Sequence, residues 1–410
     1  MSQRFYVILF CLASGLVSVA QNDVVKDAEH ILAKAKPDYA EALKTIKPAL
    51  ENEETAKNPQ AWYIAGKAAL GVWDKLWTEL QVGTDVNSDK KKNGARTLTD
   101  AYRYFATALP LDSLPDAKGK VKPKYSKEIK KTLARYYRPF RNAGIFLYDA
   151  GDLQGAFDAW EIYVNLPARL KLGQKDLKPD NNTDIGQILY YQALAAISSG
   201  DNAHAVEKFT SARRSGFSTK DLYLYAMEAS RRMENDSLMI EFARYGNELY
   251  GREDVSFSLV LINDCLTNRD YEHARRLASE ALAVTSDDKI KSQLYDVLGV
   301  TAEQEGNVEE AFVQFQKSVV YDPDNAKCFF DLGRLIYNES LKIIESGDKE
   351  AEESKAIPGL KKAAEYFEKA YSLDPSMSQI PSTLYSLYYR LGIGYETNAD
   401  YWFRKQQERQ

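Results

Sequence analysis

Cysteine and histidine are scarce, at three residues each in a chain of 410. One cysteine, Cys11, falls in the N-terminal leader described below, so only Cys265 and Cys328 remain beyond it. Two cysteines so placed do not make a disulfide framework, and both are expected as small, free, apolar groups inside helices. His30, His204 and His273 are far apart, and neither His-x3-His nor Cys-x2-Cys occurs, so no metal site and no cofactor are expected. A Gly-x-Ser-x-Gly elbow is missing. Gly392-Ile393-Gly394 follows a helical pattern and lacks the third glycine of a phosphate loop. No catalytic residues are assigned, and an enzyme is not expected.

Neither is there a strong charge of one sign. The net charge is −5, unevenly placed: residues 21–180 hold 27 Lys and Arg against 22 Asp and Glu, and residues 181–410 hold 26 against 37. Such polarity can orient a partner at long range, but it is too interspersed to point to nucleic acid. After residue 20 no apolar run reaches membrane-span length. Residues 1–20 form one short run with Arg4 ahead of an apolar core, Phe5 to Leu16, and Ser18-Val19-Ala20 at the end. This is the pattern of a cleaved export leader, with Gln21 the first mature residue. A membrane anchor is the other reading of the run. Phe10 before Cys11 does not suit a lipoprotein.

The part that organises the rest is Ser292 to Asn325. Tyr295, Leu298, Gly299 and Ala302 share one face of a first helix, Gly306-Asn307 turns, and Ala311, Phe315 and Ser318 share one face of a second. Asp322-Pro323 stops it. The same elements recur as Trp62, Ala65, Gly66 and Ala69 with Ala101, Phe105 and Ala108, and again as Phe329, Leu332, Gly333 and Ile336 with Ala363, Phe367 and Ala370. Partial copies stand around Gly144 and Trp160, Ala193 and Phe209, Leu222 and Ala226, and Cys265 and Ala274. The spacing resembles the tetratricopeptide (TPR) repeat, a helix–turn–helix unit of 34 residues.

That resemblance covers residues 21–410 and implies an all-α, TPR-type α-solenoid, a right-handed superhelix of about eight repeats. The leader and the abundant tyrosines, 27 in all, make it similar to exported TPR proteins of Bacteroidetes. It implies export to the periplasm, with outer-membrane association left open. Insertions are expected near 71–97, 166–184 and 340–357. In repeat two, 35 residues separate Gly66 from Ala101, against 12 between Gly299 and Ala311. Its first helix is expected to run on through Trp73, Leu76, Trp77 and Leu80 into a polar loop holding Lys90-Lys91-Lys92. The lysine-rich part from Asp116 to Lys131 is expected to lead into one long helix through Tyr136 and Phe140.

In such an array, residues one step round from the packing face of each first helix line a concave groove. That register gives Tyr63, Lys67, Arg138, Arg141, Tyr148, Tyr190, Tyr223, Arg231, Asn263, Phe330, Arg334, Tyr337 and Asn338. Tyrosine and arginine are frequent binding anchors, so a protein or peptide partner held by a non-catalytic scaffold is the first expectation. The Lys/Asn carboxylate clamp of chaperone-binding TPR proteins is not matched. The tryptophans and insertions are also compatible with a glycan-binding module that partners an outer-membrane sugar transporter. The basic stretches Lys118 to Lys131 and Arg169 to Lys178 are compatible with an acidic partner or with peripheral contact to anionic lipid. Asp112-Ser113-Leu114 and Asp236-Ser237-Leu238 resemble a Bacteroidetes O-glycosylation motif, which would make Ser113 and Ser237 acceptors. The oligomeric state is not read from sequence.

Overall fold

Asp and Asn side chains punctuate the chain, and helices begin where they stand. The computed structural model describes residues 23–116, 118–171 and 182–408. The leader at 1–20, and the basic stretch 169–178 beyond Lys171, lie outside them. Two compact units divide after Asn235. Within each, most helices pack mainly on their neighbours in chain order, as repeat arrays do. The fold is all-α, and the one extended pairing among the described residues is an isolated bridge between Pro115 and Val121.

In the first unit, helix α1 occupies 23–33 and α2 Tyr39–Glu51. Asn58 caps α3 (Pro59–Gln81), with proline in its first turn where no amide partner is needed. Asn87 then caps α4 (Ser88–Asp112). The insertion of repeat two is therefore helical on both sides of a short connection. Lys90, Lys91 and Lys92 sit in the first turns of α4 rather than in a loop, because the Asn87 side chain accepts the Lys90 amide at 2.9 Å. Trp73 is buried at 1% exposure and stacks on Trp77 at 5.6 Å. The expected long helix of repeat three is two helices, α5 (Ser126–Arg135) and α6 (Tyr137–Asp149). They break at Tyr136, whose hydroxyl donates to Asp74 of α3. Next come α7 (Leu153–Leu170), α8 (Asn182–Ser198), α9 (Asn202–Arg214) and α10 (Lys220–Arg232).

The second unit runs through α11 (Asp236–Tyr250), α12 (Ser256–Thr267), α13 (Tyr271–Leu282), α14 (Asp288–Gln304), α15 (Val308–Tyr321) and α16 (Ala326–Glu345). A short α17 (Lys349–Ala351) and a π-turn, Glu352–Ala356, lead into α18 (Ile357–Leu373). Two helices, α19 (Gln379–Leu391) and α20 (Glu396–Gln407), end it.

The sides of a helix pair meet at one repeated contact. A Cβ added to Gly66, Gly144 or Gly299 would fall within 2.5 Å of Phe105, Trp160 or Phe315 on the next helix of the same repeat, and one at Gly333 would come 3.0 Å from Phe367. The bare backbone of the first helix is what lets the aromatic ring lie flat against it. These four rings are all buried.

Turns repeat as closely. Gly151, Gly200 and Gly306 take the left-handed conformation between consecutive helices, and so do Glu234 and Arg269, at φ 54° and 59°. After each, the amide of the next residue reaches back five positions: Asp152 to Leu147 at 2.8 Å, Asp201 to Ala196 at 2.9 Å, Asn235 to Ser230 at 3.0 Å, Asp270 to Cys265 at 2.8 Å and Asn307 to Ala302 at 2.9 Å. This is the Schellman closure, which favours glycine because a Cβ crowds the following carbonyl. Glu234 and Arg269 therefore carry strain of about 1–2 kcal/mol each. Arg269→Gly should stabilise the protein by about 1 kcal/mol and Gly306→Ala should destabilise it by a similar amount, measured by urea unfolding. A destabilising Arg269→Gly would contradict this account of the turns.

Candidate functional site

The residues expected along the groove divide by what the fold does with them. On α3, the Tyr63 ring stacks on Tyr125 at 4.6 Å and 29°. Lys67 lies over the Tyr63 ring at 5.6 Å and Lys124 over the Tyr125 ring at 5.1 Å. Burial, then the nearby Glu128 carboxylate, raises the Tyr63 hydroxyl pKa. Tyr63 thus seats the start of α5 on α3, an internal use that the groove register did not anticipate, while Lys67 is exposed.

On α6, α8 and α10 the arrangement is more open. Arg138 is exposed and Arg141 half-buried on α6, and the Arg141 carbonyl accepts Trp160 Nε1 at 3.2 Å. Tyr148 tilts against Trp160 at 5.8 Å, and Tyr191 stacks on the same indole at 6.1 Å. Tyr190 contacts Tyr191, Phe209 and Phe217. Burial, then the Asp221 carboxylate and the hydroxyls of Tyr225, Tyr191 and Tyr148, pushes its hydroxyl up to about 12. Tyr148, Tyr190, Tyr191 and Tyr225 therefore form one neighbourhood across three first helices. Tyr191 is 36% exposed and Tyr225 is 44% exposed.

Tyr223 does not belong to it. It is 2% exposed, among Leu222, Ala226 and Met227 on the buried face of α10. The sequence register was off by about half a turn there, because α10 carries no glycine to set it; Gly246 on α11 faces Phe257 of α12 instead. Tyr225, two positions on, is the one that faces out. Arg231 is also committed: Glu228 accepts its Nε and Nη2 at 2.8 and 2.9 Å.

In the second unit, Asn263 is exposed on α12. Phe330 and Tyr337 of α16 both pack on Phe367, at 5.5 and 6.3 Å. Arg334 is tied to Glu303 of α14 by two bonds of 2.6 and 2.7 Å, and to Asp331 at 3.1 Å. Lys327 bridges Asp296 and Asp331 at 2.6 and 3.0 Å. Burial raises the Asp296 carboxyl against the pull of Lys327. These charges join α14 to α16, so Arg334 supports the helix pair, and reversing its charge would break that bridge. Asn338 is exposed and borders a cavity of about 500 Å³ with Glu303, Val308, Leu335 and Glu345.

No described side chains are arranged for nucleophilic chemistry. Asp201 and Asp270 cap α9 and α13 and hold the His204 and His273 rings at 2.6 and 2.8 Å. Burial pushes the Cys328 thiol up to about 12 and raises that of Cys265, which disfavours the reactive thiolate. Among the described residues no cluster could hold a metal ion. Ser113 and Ser237 are both exposed. Asp112, beside Ser113, is 7% exposed. Its carboxylate accepts the amides of Lys124, Tyr125 and Ser126 at 2.9, 2.9 and 2.7 Å and the Ser126 hydroxyl at 2.6 Å. One side chain ending α4 therefore supplies the N-terminal cap of α5.

No family model matches the sequence, and no curated protein does. Solved structures give likenesses at low identity. The C-terminal part of a TPR repeat-containing protein from Cytophaga hutchinsonii is 13% identical, with a TM-score of 0.40 over 66% of this chain and 93% of that one. A TPR protein from Bacteroides fragilis is 18% identical, at 0.27 over 60% and 95%. YrrB, a TPR protein with an unusual peptide-binding site, is 16% identical, at 0.25 over 63% and 96%. The architecture itself rests on the helix pairing described above.

Burial raises the Asp112 pKa, but the bonds from the Ser126 hydroxyl and the three amides outweigh it and hold the group below its ordinary 3.8. The native state then binds fewer protons than the unfolded one near that pH, so the stability Asp112 contributes is lost as pH falls through its folded pKa. Asp112→Ala should cost about 1–2 kcal/mol at neutral pH and speed amide exchange at residues 124–126. The gap between variant and parent should close below pH 3.8. Unchanged exchange at those amides would show that the cap is not needed.

Proposed function

We propose that the chain is a non-catalytic scaffold, exported to the periplasm, that binds a segment of another protein along the first-helix face of its N-terminal unit. The observation that carries this reading is the row of tyrosines on α6, α8 and α10. Tyr148, Tyr191 and Tyr225 each lie within electrostatic reach of Tyr190, with Tyr191 and Tyr225 open to solvent and Arg138 exposed on α6. Tyrosine and arginine supply large contact area with a polar end, which suits a face that is wet when free and dry when occupied. Placement in the periplasm rests on the leader pattern at 1–20. A sugar-binding role through the α3 tryptophans is not favoured, since Trp73 is in the core and Trp77 stacks on it.

A photo-crosslinking amino acid in place of Tyr191 or Tyr225 should capture a discrete partner in native cells, identified by mass spectrometry. The same group in place of Val320, which is 75% exposed on α15, should not. Equal capture from all three positions, or from none, would refute the reading.

A further inference from the structure

The segment between α4 and α6 is absorbed neither by the helix pairing nor by the tyrosine face. Lys118, Lys120, Lys122 and Lys124 recur at every second position and are all exposed. Lys118 and Lys120 lie inside the turn closed by the Pro115–Val121 bridge, and Lys122 and Lys124 follow it. Asp116 pins that turn by accepting the amides of Lys118 and Lys120, both at 2.9 Å. On α5, Lys127, Lys130 and Lys131 are exposed; Lys127 and Lys131 share the face opposite the buried Ile129 and Leu133, and Lys130 stands on its flank. The only acids described between 113 and 135 are Asp116 and Glu128.

Two apolar side chains stand among these lysines. Leu114 is 60% exposed and Val121 is 54% exposed, on either side of the bridge. The platform beneath is fixed by the Asp112 carboxylate and by the Tyr63–Tyr125 stack. We infer that residues 113–116 and 118–135 are a docking surface for an anionic lipid bilayer, with the lysines meeting headgroups and Leu114 and Val121 entering the headgroup–acyl boundary.

Charge complementarity alone would suit any polyanion. The apolar pair selects the membrane, because a bilayer rewards burial of leucine and valine beside lysine and a phosphate backbone does not. Nor is there a free aromatic platform for bases, since the Tyr125 ring is already stacked on Tyr63. Among the described residues no helix is long and apolar enough to cross a membrane, so the contact is peripheral. It is independent of the tyrosine face.

Flotation of the purified protein with vesicles of phosphatidylcholine, with and without phosphatidylglycerol, tests the inference. Binding should require phosphatidylglycerol and weaken with salt. Lys120→Glu with Lys122→Glu should reduce partitioning by at least about tenfold. Leu114→Ser with Val121→Ser should reduce it at unchanged charge. All four side chains are exposed, so both variants should keep the parent's thermal midpoint, and Tyr191→Ala should bind vesicles like the parent. Equal binding to both vesicle types, no binding, or parent-like binding by either double variant would overturn it. So would retention on heparin without vesicle binding, which would assign the surface to another polyanion.

Discussion

The contact of a bare glycine on one helix with an aromatic ring on the next is the constraint from which the rest of the structure follows. It holds at Gly66 and Phe105, Gly144 and Trp160, Gly299 and Phe315, and Gly333 and Phe367. Ring and backbone touch with no side chain between, so the two helices of a repeat must run close and in one register. That leaves one face of each first helix unpaired within its repeat, and whatever this protein presents to a partner must be built there or on segments added between the pairs. Dense packing makes such a contact unforgiving, which is why it can act as a spacer of constant size.

Departures from that spacer are where the chain becomes individual. Repeat two lengthens both helices and places Trp73 and Leu76 in an enlarged core. The segment that follows α4 is held by three unlike devices: a carboxylate cap, a stacked tyrosine pair and the Tyr136–Asp74 hydrogen bond. All three draw on residues that would otherwise be available to a partner. In repeat eight α16 runs past its usual end, and the chain returns through a π-turn. Added residues thus became ordered structure, and the interior was extended to hold them.

Much of the fold was legible because glycine, aromatic and turn residues recur at fixed spacing, and each has a physical reason for its place. Where one of these markers is missing, the register slips. In α10 there is no glycine, and there the register named Tyr223 although Tyr225 is the side chain that faces out. The helix break at Tyr136 did have a marker, since Pro139 in the first turn of α6 cannot bond back to residue 135, but the Tyr136–Asp74 bond that holds it comes from far off in sequence. The groove residues could be placed on a helix face by periodicity, but periodicity does not reveal whether a charged side chain already has a partner. Arg334 with Glu303 and Arg231 with Glu228 are paired across or along helices, and no spacing rule shows it.

The most direct test of the central contact is a double-mutant cycle at Gly299 and Phe315, read by urea unfolding. An alanine Cβ at 299 would stand 2.5 Å from the ring. Gly299→Ala alone should therefore destabilise the protein by about 1–3 kcal/mol, although alanine is the better helix former by about 1 kcal/mol. In a Phe315→Leu background the same change should cost less or become favourable, with a coupling of about 1 kcal/mol or more. Strict additivity of the two substitutions, or a stabilising Gly299→Ala in the parent protein, would contradict the claim that this contact sets the repeat.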